Sequence, residues 1–67
     1  MEKQWIKVYA ATDPYQTELV RHVLIENKIE AVSIDKKGYP YDIGEVEIYV
    51  QKTDFDQALE IIKQNEF

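Results

Sequence analysis

The apolar residues of this chain switch between a period of two and a period near 3.6, and the switches delimit its elements. From Trp5 to Ala10 the pattern alternates, with Ile6, Val8 and Ala10 on one side and Trp5, Lys7 and Tyr9 on the other. This predicts a half-buried strand over about 5–11. Leu19, Val20, Val23 and Leu24 then recur at helical spacing, which predicts a helix over about 14–27 with that stripe buried and Ile25 off it. A second strand is expected over about 30–36, with Val32 and Ile34 toward the helices and Ser33 and Asp35 away. A third, over about 45–51, alternates most regularly: Val46, Ile48 and Val50 inward, Glu45, Glu47, Tyr49 and Gln51 outward. A second helix over about 55–64 places Phe55, Ala58, Leu59 and Ile62 on its core stripe.

The residues between these runs agree with the boundaries. Asp-x-x-Gln occurs at Asp13–Gln16 and again at Asp54–Gln57, each time where a strand gives way to a helix. An Asp at the N-cap accepts from first-turn N–H groups, and a Gln three residues on can reach back to the cap. Pro14 suits the first helical position, where its missing N–H would have had no partner. Asn27-Lys28 is expected to end the first helix, with one of the two in a left-handed conformation. Lys37 to Gly44, with Gly38, Pro40 and Gly44 as breakers, reads as a connecting loop.

The order β-α-β-β-α with one apolar sheet face implies a single α+β domain over residues 1–67. It is a three-stranded antiparallel sheet with two helices on one face, the ferredoxin-like arrangement less its last strand. In that topology the first and third strands are adjacent, and the missing strand leaves an edge of the first open. Open edges are paired, covered or guarded by charge, and Lys7 is a weak guard, so edge pairing into a homodimer is expected.

Composition narrows the function. The 67 residues carry a net charge of -5, with a pI near 4.7 and no cysteine. An acidic surface repels phosphate backbones and anionic lipid heads, which argues against nucleic acid and membrane as partners. No stretch has the length and apolarity of a membrane span and no apolar leader follows Met1, so the chain reads as soluble and cytoplasmic.

Catalytic signals are missing. Glu18, His22 and Glu26 share one side of the first helix, but a strong metal site draws ligands from several elements. Ser33 has no local His partner. The pairs Glu45/Glu47 and Asp54/Asp56 fall on a solvated strand face and at a helix start, where acids are ordinary. The reading is a non-enzyme with no cofactor and no metal. Two groups remain as candidate interaction residues. Trp5, Tyr9 and Tyr49 are expected on the outer sheet face, and Tyr39, Tyr41 and Asp42 lie in the 37–44 loop.

The runs Trp5-x-Lys-Val-Tyr, Leu19-Val20 with Val23-Leu24, Ile29-x-Ala31, Gly44-Glu-Val-Glu-Ile-Tyr-Val and Asp54-Phe-x-x-Ala58 resemble those of the "putative prokaryotic signal-transducing protein" family. The resemblance spans nearly the whole chain and implies a fold like that of the nitrogen-regulatory PII proteins. Those proteins carry a partner-contacting loop between the second and third strands, a place the 37–44 loop occupies here. The family usually has Gly where Lys28 stands. The implied function is a regulatory, signal-transducing module acting through protein–protein contacts. The alternative is a sensor of an amino acid or nucleotide at a dimer interface.

Overall fold

The structure, a computed structural model, describes residues 4–36, 44–65 and 67. Strand β1 (Trp5–Ala11) leads to helix α1 (Pro14–Glu26), strand β2 (Ala31–Asp35) and strand β3 (Val46–Gln51). A 3-10 turn (Lys52–Asp54) then opens helix α2 (Phe55–Gln64). The sheet is antiparallel in the order β1-β3-β2, so β3 is central and β1 and β2 are its edges. This is the expected β-α-β-β-α arrangement. Both helices pack on the face formed by Ile48 and Val50, where Val20, Leu24, Ile29, Ala31, Ala58 and Ile61 complete the core.

The start of α1 follows its sequence: the Tyr15 N–H donates to Asp13 Oδ1 at 2.9 Å, with Pro14 next to the cap. The start of α2 does not. Asp54 closes the 3-10 turn at φ -103, ψ 1, away from the extended geometry a capping side chain needs, and its carboxylate makes no capping bond. The helix stripes also shift. Thr17 replaces Leu19 in the core, its hydroxyl satisfied by the Pro14 carbonyl at 2.9 Å, while Leu19 is exposed. In α2, Ile61 is buried and Leu59 is exposed.

The end of α1 is a Schellman motif. Ile29 N–H donates to the Leu24 carbonyl at 3.0 Å and Lys28 N–H to the Ile25 carbonyl at 2.9 Å. Lys28 takes the left-handed position, φ 66. This turn delivers Ile29 into the core beside Leu24, and so sets the phase of β2. From Ile29 onward the odd positions lie on the helix side: Ala31 is opposite Val50 and Ser33 opposite Ile48. Val32 and Ile34 are opposite Tyr49 and Glu47, on the outer face. The expectation that Val32 and Ile34 face the helices is therefore reversed.

A β-bulge corrects β1 as well. Lys7 is opposite Tyr49 but Tyr9 is opposite Ile48, which leaves Val8 as the extra residue. Beyond it the alternation inverts: Tyr9 joins the core face, and Ala10, opposite Glu47, joins the outer one. Val8 and Tyr9 both pack against the core cluster.

Candidate functional site

The face of the sheet turned away from the helices carries the residues of interest. Register arranges them in rows across the strands. Lys7, Tyr49 and Val32 form one, and Ala10, Glu47 and Ile34 the next. Trp5 lies opposite Gln51 at the end of β1. Trp5, Val32 and Ile34 are 37%, 36% and 43% exposed, and Tyr49 is half-buried among them.

Glu47 is the electrostatic centre of this face. The Tyr49 hydroxyl donates to Glu47 Oε1 at 2.7 Å. Lys7 Nζ lies 3.4 Å from Oε2, and Lys36 Nζ reaches to 3.9 Å of Oε1 from the other edge. The Glu47 side chain is only 15% exposed, whereas the two lysines are more than half exposed. The carboxyl is held below the usual carboxylate range, first by the Tyr49 hydrogen bond and then by the lysine charges, with desolvation opposing. The same bond pushes the Tyr49 phenol above its ordinary value. At the end of the sheet, Gln51 Nε2 donates to Glu30 Oε2 at 3.2 Å.

Of the residues singled out from the sequence, Trp5 and Tyr49 share this face. Tyr9 does not, because the bulge turns it to the core side. Tyr39, Tyr41 and Asp42 lie outside the described residues. Val32 and Ile34 belong to the face although their alternation pointed inward. The signal that places them was the apolar Ile29-x-Ala31 pair, which starts the odd-numbered core phase immediately after the helix cap.

The arrangement offers apolar area divided by charges. On α1, Glu18 is engaged by Arg21, with Arg21 Nη2 2.6 Å from Oε1, a contact that also lowers the Glu18 pKa. His22 Nε2 sits 2.9 Å from Glu26 Oε1. Among the described residues, no group of three or more His, Cys, Asp or Glu side chains is placed to hold a metal ion. No helix among them is long and apolar enough to cross a membrane.

Residues 5–66 match the model of a family described as "Putative prokaryotic signal transducing protein". Neither the curated proteins nor the solved structures contain a significant match. The family description points to signal transduction and names no partner, ligand or reaction. With almost every residue of the chain inside the match, the protein belongs to this family of putative prokaryotic signal-transducing proteins.

Proposed function

We propose that the protein is a cytoplasmic, non-catalytic regulatory module that binds a protein partner through the outer face of its sheet. The observation that carries this reading is the grouping of Trp5, Val32, Ile34 and Tyr49 on a face that neither helix covers. Large apolar side chains gathered on one exposed surface mark interaction sites, whereas single scattered ones need no explanation. The charges among them fit the same use. Glu47 is fixed from three sides, by Tyr49, Lys7 and Lys36, so it presents a preorganised acceptor that pays little ordering entropy on binding. The acidic balance of the chain and the engagement of both lysines with Glu47 disfavour a phosphate backbone as the ligand.

Co-purification from native extract, comparing the wild-type chain with a Trp5→Lys/Ile34→Lys variant of unchanged circular dichroism, tests the reading. A stoichiometric partner lost by the variant supports it, and a partner retained by the variant overturns the assignment of this face. An amide NMR titration with amino acids and nucleotides is the second arm. Saturable shifts there would replace the protein partner with a small-molecule signal.

A further inference from the structure

We infer that β2 is a self-complementary edge through which two copies of the chain join, strand to strand, about a two-fold axis at Ser33. This pairing follows from the edge geometry and not from the partner reading above, so either can fail without the other.

The two edges of the sheet differ in how open they are to pairing. β1 carries the bulge at Val8, with Lys7 beside it, and bulges and lysines are devices that blunt an edge. β2 has neither bulge nor proline and pairs with β3 in unbroken register over its five residues. Its outer-face side chains, Val32 and Ile34, are exposed. A regular edge with exposed apolar side chains is a template for another strand.

The backbone sets the centre of the pairing. Lys36 N–H donates to the Glu45 carbonyl at 2.9 Å, so Lys36 and Glu45 form a hydrogen-bonded pair. In an antiparallel ladder such pairs alternate. The backbone groups of Ile34 and Val32 therefore point to β3, and those of Ser33 and Ala31 point to the outer edge. A second antiparallel copy of β2 must hydrogen-bond through these odd positions. A two-fold axis at Ser33 meets this condition, because Ser33 then exchanges its N–H and C=O with Ser33 of the other copy.

The side chains identify the occupant. With the axis at Ser33, residues whose numbers sum to 66 face each other. Val32 meets Ile34 of the second copy in a non-hydrogen-bonded pair, the kind that brings side chains closest. Glu30 meets Lys36, and by symmetry Lys36 meets Glu30. On its outer face the segment from 30 to 36 is thus self-complementary, with Glu30 against Lys36 at both ends and Val32 against Ile34 inside, while on the other face Ser33 meets Ser33 and Ala31 meets Asp35. Such self-complementarity is what an isologous dimer requires of one patch. Glu30 accepts from Gln51 among its contacts and Lys36 Nζ lies 3.9 Å from Glu47, so the new pair adds to these contacts: a carboxylate has about four acceptor sites and an ammonium three donors. Two three-stranded sheets would become one, with both outer faces continuous across the join.

Sedimentation velocity from micromolar to millimolar concentration reads the mass directly, since a short edge makes a small interface of modest affinity. The expected result is a shift from 7.9 kDa toward twice that mass. Glu30→Lys and Lys36→Glu each turn the two attractive pairs into repulsive ones and should weaken self-association roughly tenfold or more. An equimolar mixture of the two variants restores opposite charges at both ends, so it should associate as the wild type does. Amide exchange gives a second readout: Ser33 should gain protection as concentration rises, while Val32 and Ile34 stay protected throughout. A chain that remains monomeric at millimolar concentration overturns the inference. So does a dimer indifferent to both reversals, or a mixture no tighter than its components.

Discussion

The Tyr49 hydroxyl donates a 2.7 Å hydrogen bond to the carboxylate of Glu47, two residues earlier on the same face of β3. The bond favours the charged carboxylate and the neutral phenol, so it moves the two groups apart: Glu47 titrates below its ordinary range and Tyr49 above its own. The stability from Glu47 is present above the unfolded carboxylate pKa and is lost as pH falls through the lower folded value. The stability from Tyr49 is present below the unfolded phenol pKa and is lost as pH rises through the higher folded value. Tyr49→Phe should therefore raise the Glu47 pKa while leaving the fold intact. Carboxyl carbon chemical shifts followed through an acid titration would show this. An unmoved Glu47 would mean that the lysines alone depress it.

Lys28 holds a left-handed conformation, φ 66, at the end of α1. A side chain with a Cβ pays about 1 kcal/mol or more for that backbone, and glycine does not. Both Schellman hydrogen bonds are made by the backbone, so the side chain contributes nothing to them. Lys28→Gly should raise stability by roughly 0.5–1 kcal/mol, less than the full strain because glycine also loosens the unfolded chain. A higher urea midpoint at unchanged m-value is the expected observation.

The order of elements, the strand pairing, the left-handed turn near residues 27–28 and the outward Trp5 and Tyr49 could all be read from the sequence. What escaped was phase. In a strand, a slip of one residue sends every side chain to the other face. Val32 and Ile34 are the more hydrophobic members of their strand, which argued for the core. The deciding residue lies outside the strand: Ile29 is delivered into the core by the Schellman turn, and the odd positions follow it. The bulge at Val8 is invisible for a related reason. The run Val-Tyr-Ala-Ala has no polar residue to mark where the alternation inverts. Thr17 carries no core signal in the sequence, since a hydroxyl looks unsuited to a core, and only the geometry of the first turn shows that the Pro14 carbonyl satisfies it. Val32 and Ile34, which the phase of β2 turns outward, join Trp5 and Tyr49 to make the outer face a candidate surface.

The bulge can be tested by comparing two aromatic residues of β1. Strict alternation would place Trp5 and Tyr9 together on the outer face, with similar small effects on truncation. The observed register puts Tyr9 opposite Ile48 and against the core, and leaves Trp5 on the outer face. Tyr9→Ala should cost about 2 kcal/mol through lost burial and an incompletely filled space, and Trp5→Ala about 1 kcal/mol or less. Chemical unfolding of the two variants decides between the registers, and equal losses would count against the bulge.

The two Asp-x-x-Gln boxes look alike in sequence and are not equivalent in structure. Asp13 has an extended backbone, φ -90 and ψ 112, from which its carboxylate reaches the Tyr15 N–H. Asp54 is held by the preceding 3-10 turn with ψ near zero, and its carboxylate makes no capping bond. A helix cap contributes about 1 kcal/mol when the side chain accepts from the first turn, whereas an exposed residue without such a role changes stability by less than about 0.5 kcal/mol. Asp13→Ala should accordingly lower the unfolding free energy by about 1 kcal/mol, and Asp54→Ala should leave it nearly unchanged. Asn at position 13 keeps an accepting oxygen and should recover most of the loss, which separates the cap from any effect of net charge. If Asp54→Ala proved as costly as Asp13→Ala, the 3-10 turn would have to give way to a standard N-cap in solution, and α2 would begin as its sequence alone implies.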